Sequence, residues 1–154
     1  FKIFNGKTAS VGFKDLLIER LKGQDPKLFQ SPNPIGKATL DRVLLLAQGI
    51  ADAEVSSEFK KTFQKEKPLF VGIGNVWGIS VRKQIRNTVA TQDRIDEVLR
   101  ERADLTDDKI PGEYAATEVS NLALVLGFMR SLDIPEVKIE NVNLTDGILV
   151  QSKF

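Results

Sequence analysis

Two residue types are missing from this 154-residue chain: it has no cysteine and no histidine. Without cysteine there are no disulfides, no thiolate metal sites and no cysteine nucleophile, a usage that fits a cytoplasmic protein. Without histidine the commonest general base is gone, and a Ser–His–Asp arrangement cannot be assembled. Apart from phenylalanine, aromatics are scarce, with one tryptophan and one tyrosine. Neither sign of charge dominates: 22 Lys and Arg against 21 Asp and Glu leave +1. No global field therefore steers the chain towards nucleic acid or a membrane surface. Long hydrophobic runs are missing too. The longest, Leu122–Met129, falls far short of the roughly 20 residues that cross a bilayer. Lys2 and Lys7 flank no apolar stretch of the signal-peptide kind.

What remains is ordinary for a globular domain: 42% hydrophobic and 28% charged residues. The length suits one domain over residues 1–154 with a core of its own. Phe1–Phe4 has strand character, Asn5–Gly6 signals a hairpin, and Ala9–Gly12 reads as a second strand. Phe13, Leu16, Leu17 and Leu21 then recur at helical spacing up to Gly23. Residues 24–36, with three prolines, read as a loop. Helical patterns follow over 37–53 and after Ser56, the latter anchored by Phe59 and Phe63. Leu69–Phe70–Val71 reads as a buried strand. Val81, Ile85 and Val89 suggest a helix, and Thr91 caps the next, with Ile95, Val98 and Leu99 inward. Leu105–Gly112 reads as a loop. Glu113–Ser131 is apolar nearly all round at its centre, the mark of a helix packed between other elements. Val137–Val142 alternates as a strand, Thr145–Gly147 turns, and Ile148–Val150 closes as a last strand. The order points to a mixed α/β fold in which helices cover a small sheet.

The segment with most chemical content is Leu69–Ser80, LFVGIGNVWGIS. A strand, Gly72-Ile73-Gly74-Asn75 and a helix start make either a packing turn or a loop whose backbone N–H groups meet an anion. It is neither a dinucleotide fingerprint, since the third glycine position is Trp77, nor a P-loop, since no Gly-Lys-Ser/Thr follows. Trp77 either stacks on a base or covers a core edge. Asp146 suits an Asx turn or a ribose or metal contact. Asp104, Asp107 and Asp108 lack the remainder of a calcium loop and read as a solvated loop. Lys60, Lys61, Lys65 and Lys67 alternate with Glu58 and Glu66 as a solvated face.

Three segments in order, Thr8–Phe13, Val71–Val76 and Asn143–Leu149, resemble the second lobe of the exopolyphosphatase/guanosine pentaphosphate phosphohydrolase (Ppx/GppA) family. The resemblance implies a ribonuclease-H-like lobe of the actin-like superfold, in which Ser10 and Gly12 match a strand after the family's second phosphate loop. It implies a longer, two-lobed parent with an N-terminal lobe missing from this chain, hydrolysing phosphoanhydride bonds of polyphosphate or a guanosine polyphosphate with Mg²⁺. Gly72, Gly74, Asn75 and Val76 would bind phosphate or nucleotide, and Thr145, Asp146 and Gly147 would form the cleft rim. The match departs from the family at Asn75 and Val76, where a glycine and a threonine belong, and at Thr145-Asp146, where Arg-Glu belongs. No catalytic residue and no metal ligand is assigned within the chain, which alone is expected to be inactive. Homodimerisation is compatible with this reading. The rival reading is a degenerate actin-like lobe that senses a nucleotide or binds another protein.

Overall fold

A computed structural model describes residues 7–66 and 68–142, with side chains described from Gly12 onward except at Phe63. The expected features at Phe1–Gly6, Thr145–Gly147 and Ile148–Val150 lie outside the described residues.

The helices are α1 (Lys7–Lys22), α2 (Leu40–Glu54), α3 (Ser57–Glu66), α4 (Arg82–Ile85), α5 (Gln92–Arg102) and α6 (Ala115–Ser131). A π-helix over Val76–Val81 runs directly into α4. The strands are β1 (Val71–Gly72), β2 (Val89–Thr91) and β3 (Glu136–Ile139). They form one mixed sheet in the order β1-β3-β2: β1 runs parallel to β3, and β2 antiparallel to it. The fold is therefore mixed α/β, with helices packed against a small sheet.

Helix α6 organises the core. Residues 118–127 are all buried, including Glu118, Ser120 and Asn121. It packs chiefly on α2, then on α5 and α1. Leu40, Val43, Leu44, Ala47 and Ala51 of α2 form the stripe that meets it. At the crossing Gly127 lies so close to Ala47 that a Cβ there would collide with the Ala47 methyl and the backbone behind it. Strand β3 presents Val137 and Ile139 to the core and leaves Glu136 and Lys138 exposed, the alternation of a half-buried strand.

Local signals account for several boundaries. Thr91 Oγ1 accepts from Arg94 N–H at 3.2 Å, capping α5 as its sequence suggests. Ser56 Oγ accepts from Phe59 N–H at 3.3 Å and starts α3. Asp96 and Arg100 pair at 2.7 Å along α5, and Asp96 also holds Arg130 of α6 at 3.1 Å.

Three expectations are corrected. Ala9–Gly12 is helical, part of α1, because extending an existing helix adds a hydrogen bond per residue and outweighs the cost of Gly12, about 1 kcal/mol. Leu69–Phe70–Val71 is not a buried strand: only Val71–Gly72 pairs, at the sheet edge, with Leu69 76% and Val71 46% exposed. Val89 belongs to β2, because Arg86 adopts a left-handed conformation (φ 54°) that ends α4. The acidic loop is also less free than expected. Asp107 accepts from Ser31 Oγ and Asn33 Nδ2, each at 2.8 Å, and Asp104 from Lys37 N–H at 2.9 Å, so it fastens the proline-rich segment to the end of α5.

The contrast between two helical glycines is testable by chemical denaturation. Gly127→Ala should destabilise the fold by about 1–3 kcal/mol through overpacking. Gly49→Ala, where an added Cβ meets nothing within 4 Å, should stabilise it by roughly 0.5–1 kcal/mol through helix propensity. Equal effects at the two positions would contradict this packing of α2 on α6.

Candidate functional site

The glycine turn leaves the sheet at β1. Lys138 N–H donates to Phe70 O at 2.9 Å and Glu140 N–H to Gly72 O at 3.0 Å, which fixes the strand before the turn. Gly74 has φ +79°, a conformation glycine adopts without strain. Gly72 needs its missing side chain for another reason: a Cβ there would lie 2.6 Å from the Trp77 indole. Trp77 thus folds back over Gly72 and packs at the margin of the core, the core-edge role and not a free stacking platform. Gly74 N–H donates to Val142 O at 3.4 Å. Of the expected phosphate contacts, Gly72 is covered, the Gly74 N–H is engaged, Val76 packs against the core, and Asn75 is exposed. Thr145, Asp146 and Gly147 lie outside the described residues.

Beyond the turn, the wide coil of the π-helix is directly visible: Arg82 N–H reaches back five residues to Trp77 O. π-helical turns are rare and concentrate at functional sites. Two constraints hold this one in place. Trp77 anchors its start on Gly72. Near its end, Ser80 points into the core, donates from Oγ to Glu118 Oε2 of α6, and accepts from Asn121 Nδ2 at 3.2 Å.

Glu118 has no exposed surface. Among the described residues its second oxygen, Oε1, has no hydrogen-bond partner. Gly112 faces that oxygen, and a Cβ on Gly112 would come within 2.8 Å of it. Gln84 lies beside the carboxyl but spends Nε2 on Pro111 O, at 2.6 Å. Burial raises the Glu118 pKa above the usual carboxylate range; Ser80, Gln84 and the charges of Lys83 and Arg102 pull it partly back. No sequence pattern marked Glu118, since a lone acidic residue in an apolar helix gives no motif. Its position among Val119, Leu122 and Ala123 on the buried part of α6 was the available signal.

The outer face of the same segment is basic. Gly78, Ile79, Arg82, Lys83 and Arg86, with Asn87, Thr88 and Asn141, line an open groove of about 760 Å³. None of the lining residues is acidic or aromatic. Among the described residues Arg82, Lys83 and Arg86 make no ion pair with a carboxylate at contact distance. Gly78 sits against the end of β3, where an added Cβ would lie 3.5 Å from Asn141 Oδ1. The turn and the groove are therefore adjacent but distinct: the glycines shape the turn, and the cations face outward one helical turn later. The chemistry available in the groove is attraction of anions and hydrogen bonding. Its lining offers no carboxylate base.

Because the folded-state pKa of Glu118 is raised, the folded chain holds a proton that the unfolded chain releases sooner. Stability therefore falls as pH rises from the unfolded value through the raised folded one. Glu118→Gln should flatten that part of the stability–pH profile; an unchanged profile would show that Glu118 is not the group responsible. Gly72→Ala should cost about 1–3 kcal/mol and change the Trp77 fluorescence, and silence in both readouts would contradict the indole's placement.

Among the described residues no helix is long and apolar enough to cross a membrane. No protein-family model matches the chain, no curated protein matches it, and no solved structure matches it.

Proposed function

We propose that this chain is a phosphate-binding lobe without catalytic groups of its own, the second, ribonuclease-H-like lobe of a two-lobed protein of the Ppx/GppA kind. The observation that carries the reading is the basic groove: three cationic side chains without close carboxylate partners among the described residues, on one rigidly held segment next to a strand–glycine turn. An unpaired cation cluster with amide and hydroxyl neighbours suits phosphate oxygens, which accept charge-assisted hydrogen bonds. The lack of an aromatic lining favours contact with phosphates over contact with a base.

In this reading the parent hydrolyses phosphoanhydride bonds of polyphosphate or a guanosine polyphosphate, and this lobe binds and orients the phosphates. Mg²⁺ prefers oxygen donors in octahedral array. The groove offers cations and amides, and among the described residues no group of three or more Asp or Glu converges on one point. The groove does not fit the metal, so in this proposal metal and catalytic acids reside on the other lobe. A nucleotide-sensing or protein-binding lobe remains the second reading. The covering of Gly72 by Trp77 favours it, since this removes the close backbone approach that a phosphate loop requires.

Calorimetric titration of the chain with tripolyphosphate should show binding that weakens steeply with added salt. Replacing Arg82, Lys83 and Arg86 by Gln one at a time should each cost about 1 kcal/mol of affinity, within the range of exposed charge contacts. Loss of binding in Asn75→Ala with the three cations irrelevant would move the site back to the glycine turn.

A further inference from the structure

We propose that the charge of Glu118, held by Ser80 behind the basic groove, adds to that of Lys83 in setting the groove's potential, so that anion binding there is coupled to proton uptake by Glu118. The inference rests on the reading of the groove as an anion site and concerns its regulation. The linkage is built into one stretch of backbone. Ser80, Lys83 and Gln84 lie within five positions: Ser80 donates to the Glu118 carboxyl, Gln84 lies beside it, and Lys83 lines the groove. Among the described residues the charged groups that act on Glu118 are Lys83 and, from α5, Arg102, whose buried Nε has no partner there. The uncharged groups around it are Ser80, Gln84, Asn121 and the Gly112 backbone.

An ionised Glu118 offsets part of the positive potential that Lys83 contributes to the groove. A protonated Glu118 leaves that potential whole. An anion in the groove repels the ionised carboxylate in turn and favours its protonated form, and the two effects are equal by linkage. Burial places this titration above that of an ordinary glutamate and thus apart from the exposed carboxylates. The proton moves between solvent and Glu118, and no other bond changes.

The test uses the whole chain and dextran sulfate, a polyanion whose own charge does not titrate across the range. Affinity should rise by roughly fivefold or more from the alkaline to the acid limit of the Glu118 titration. Calorimetry in buffers of different ionisation enthalpy should register proton uptake on binding. Glu118→Gln should lack that increment, binding more tightly than the parent at the alkaline end, while keeping the pH response due to exposed carboxylates. Lys83→Gln, an exposed change that leaves the core intact, should bind more weakly at every pH and keep the increment, since the Glu118 charge acts on the anion itself. If Glu118→Gln keeps the parent's full pH profile, the coupling is overturned and the groove stands. If none of the three proteins binds dextran sulfate at any pH, the anion site itself is overturned and the coupling with it.

Discussion

Helix α6 has almost no face to give to water, and that constraint shapes the molecule. A helix buried over ten consecutive residues must be enclosed, and α1, α2, α5 and the π-helical segment enclose it. Enclosure also forces a decision at Glu118. A carboxyl at that depth must be protonated or hydrogen-bonded. Ser80 supplies the bond, from a π-helical turn that brings its hydroxyl inward. The polar requirement of the core and the irregular backbone of the candidate site are thus two sides of one contact.

The position of the basic groove follows from this. With Ser80 fixed inward and Trp77 folded over Gly72, the segment from Val76 to Ile85 has little rotational freedom about its axis. Arg82, Lys83 and Arg86 are then left on the outside, beside Asn141 at the end of β3. The glycines of the turn serve the fold: one accommodates an indole, the other a left-handed backbone. Ligand chemistry, in this account, belongs to the cations that follow.

Elements with strong helical periodicity were legible in the sequence. The apolar stripe of α2, the Thr91 cap of α5 and the all-round apolar character of α6 each have one dominant local cause. Misreadings fell where tertiary context decides. Ala9–Gly12 carries strand-compatible residues but continues a helix. Leu69–Val71 is apolar yet sits at an exposed edge, because hydrophobicity does not reveal which strand lies outermost. The site was half legible: glycine spacing drew attention to residues 72–76, but not to the packing of Trp77 on Gly72 or to the left-handed backbone at Gly74. The groove and Glu118 could not be read ahead, because their members, from Gly78 to Asn141, converge only through the fold.

The central claim is that phosphate-bearing anions meet this chain at the cations of the π-helix–α4 segment. Backbone amide NMR of the chain, titrated with tripolyphosphate at low salt, tests it most directly. The account predicts shifts concentrated at Gly78, Arg82, Lys83, Arg86–Thr88 and Asn141. Shifts confined to Gly72–Val76, or none at saturating ligand, would contradict it.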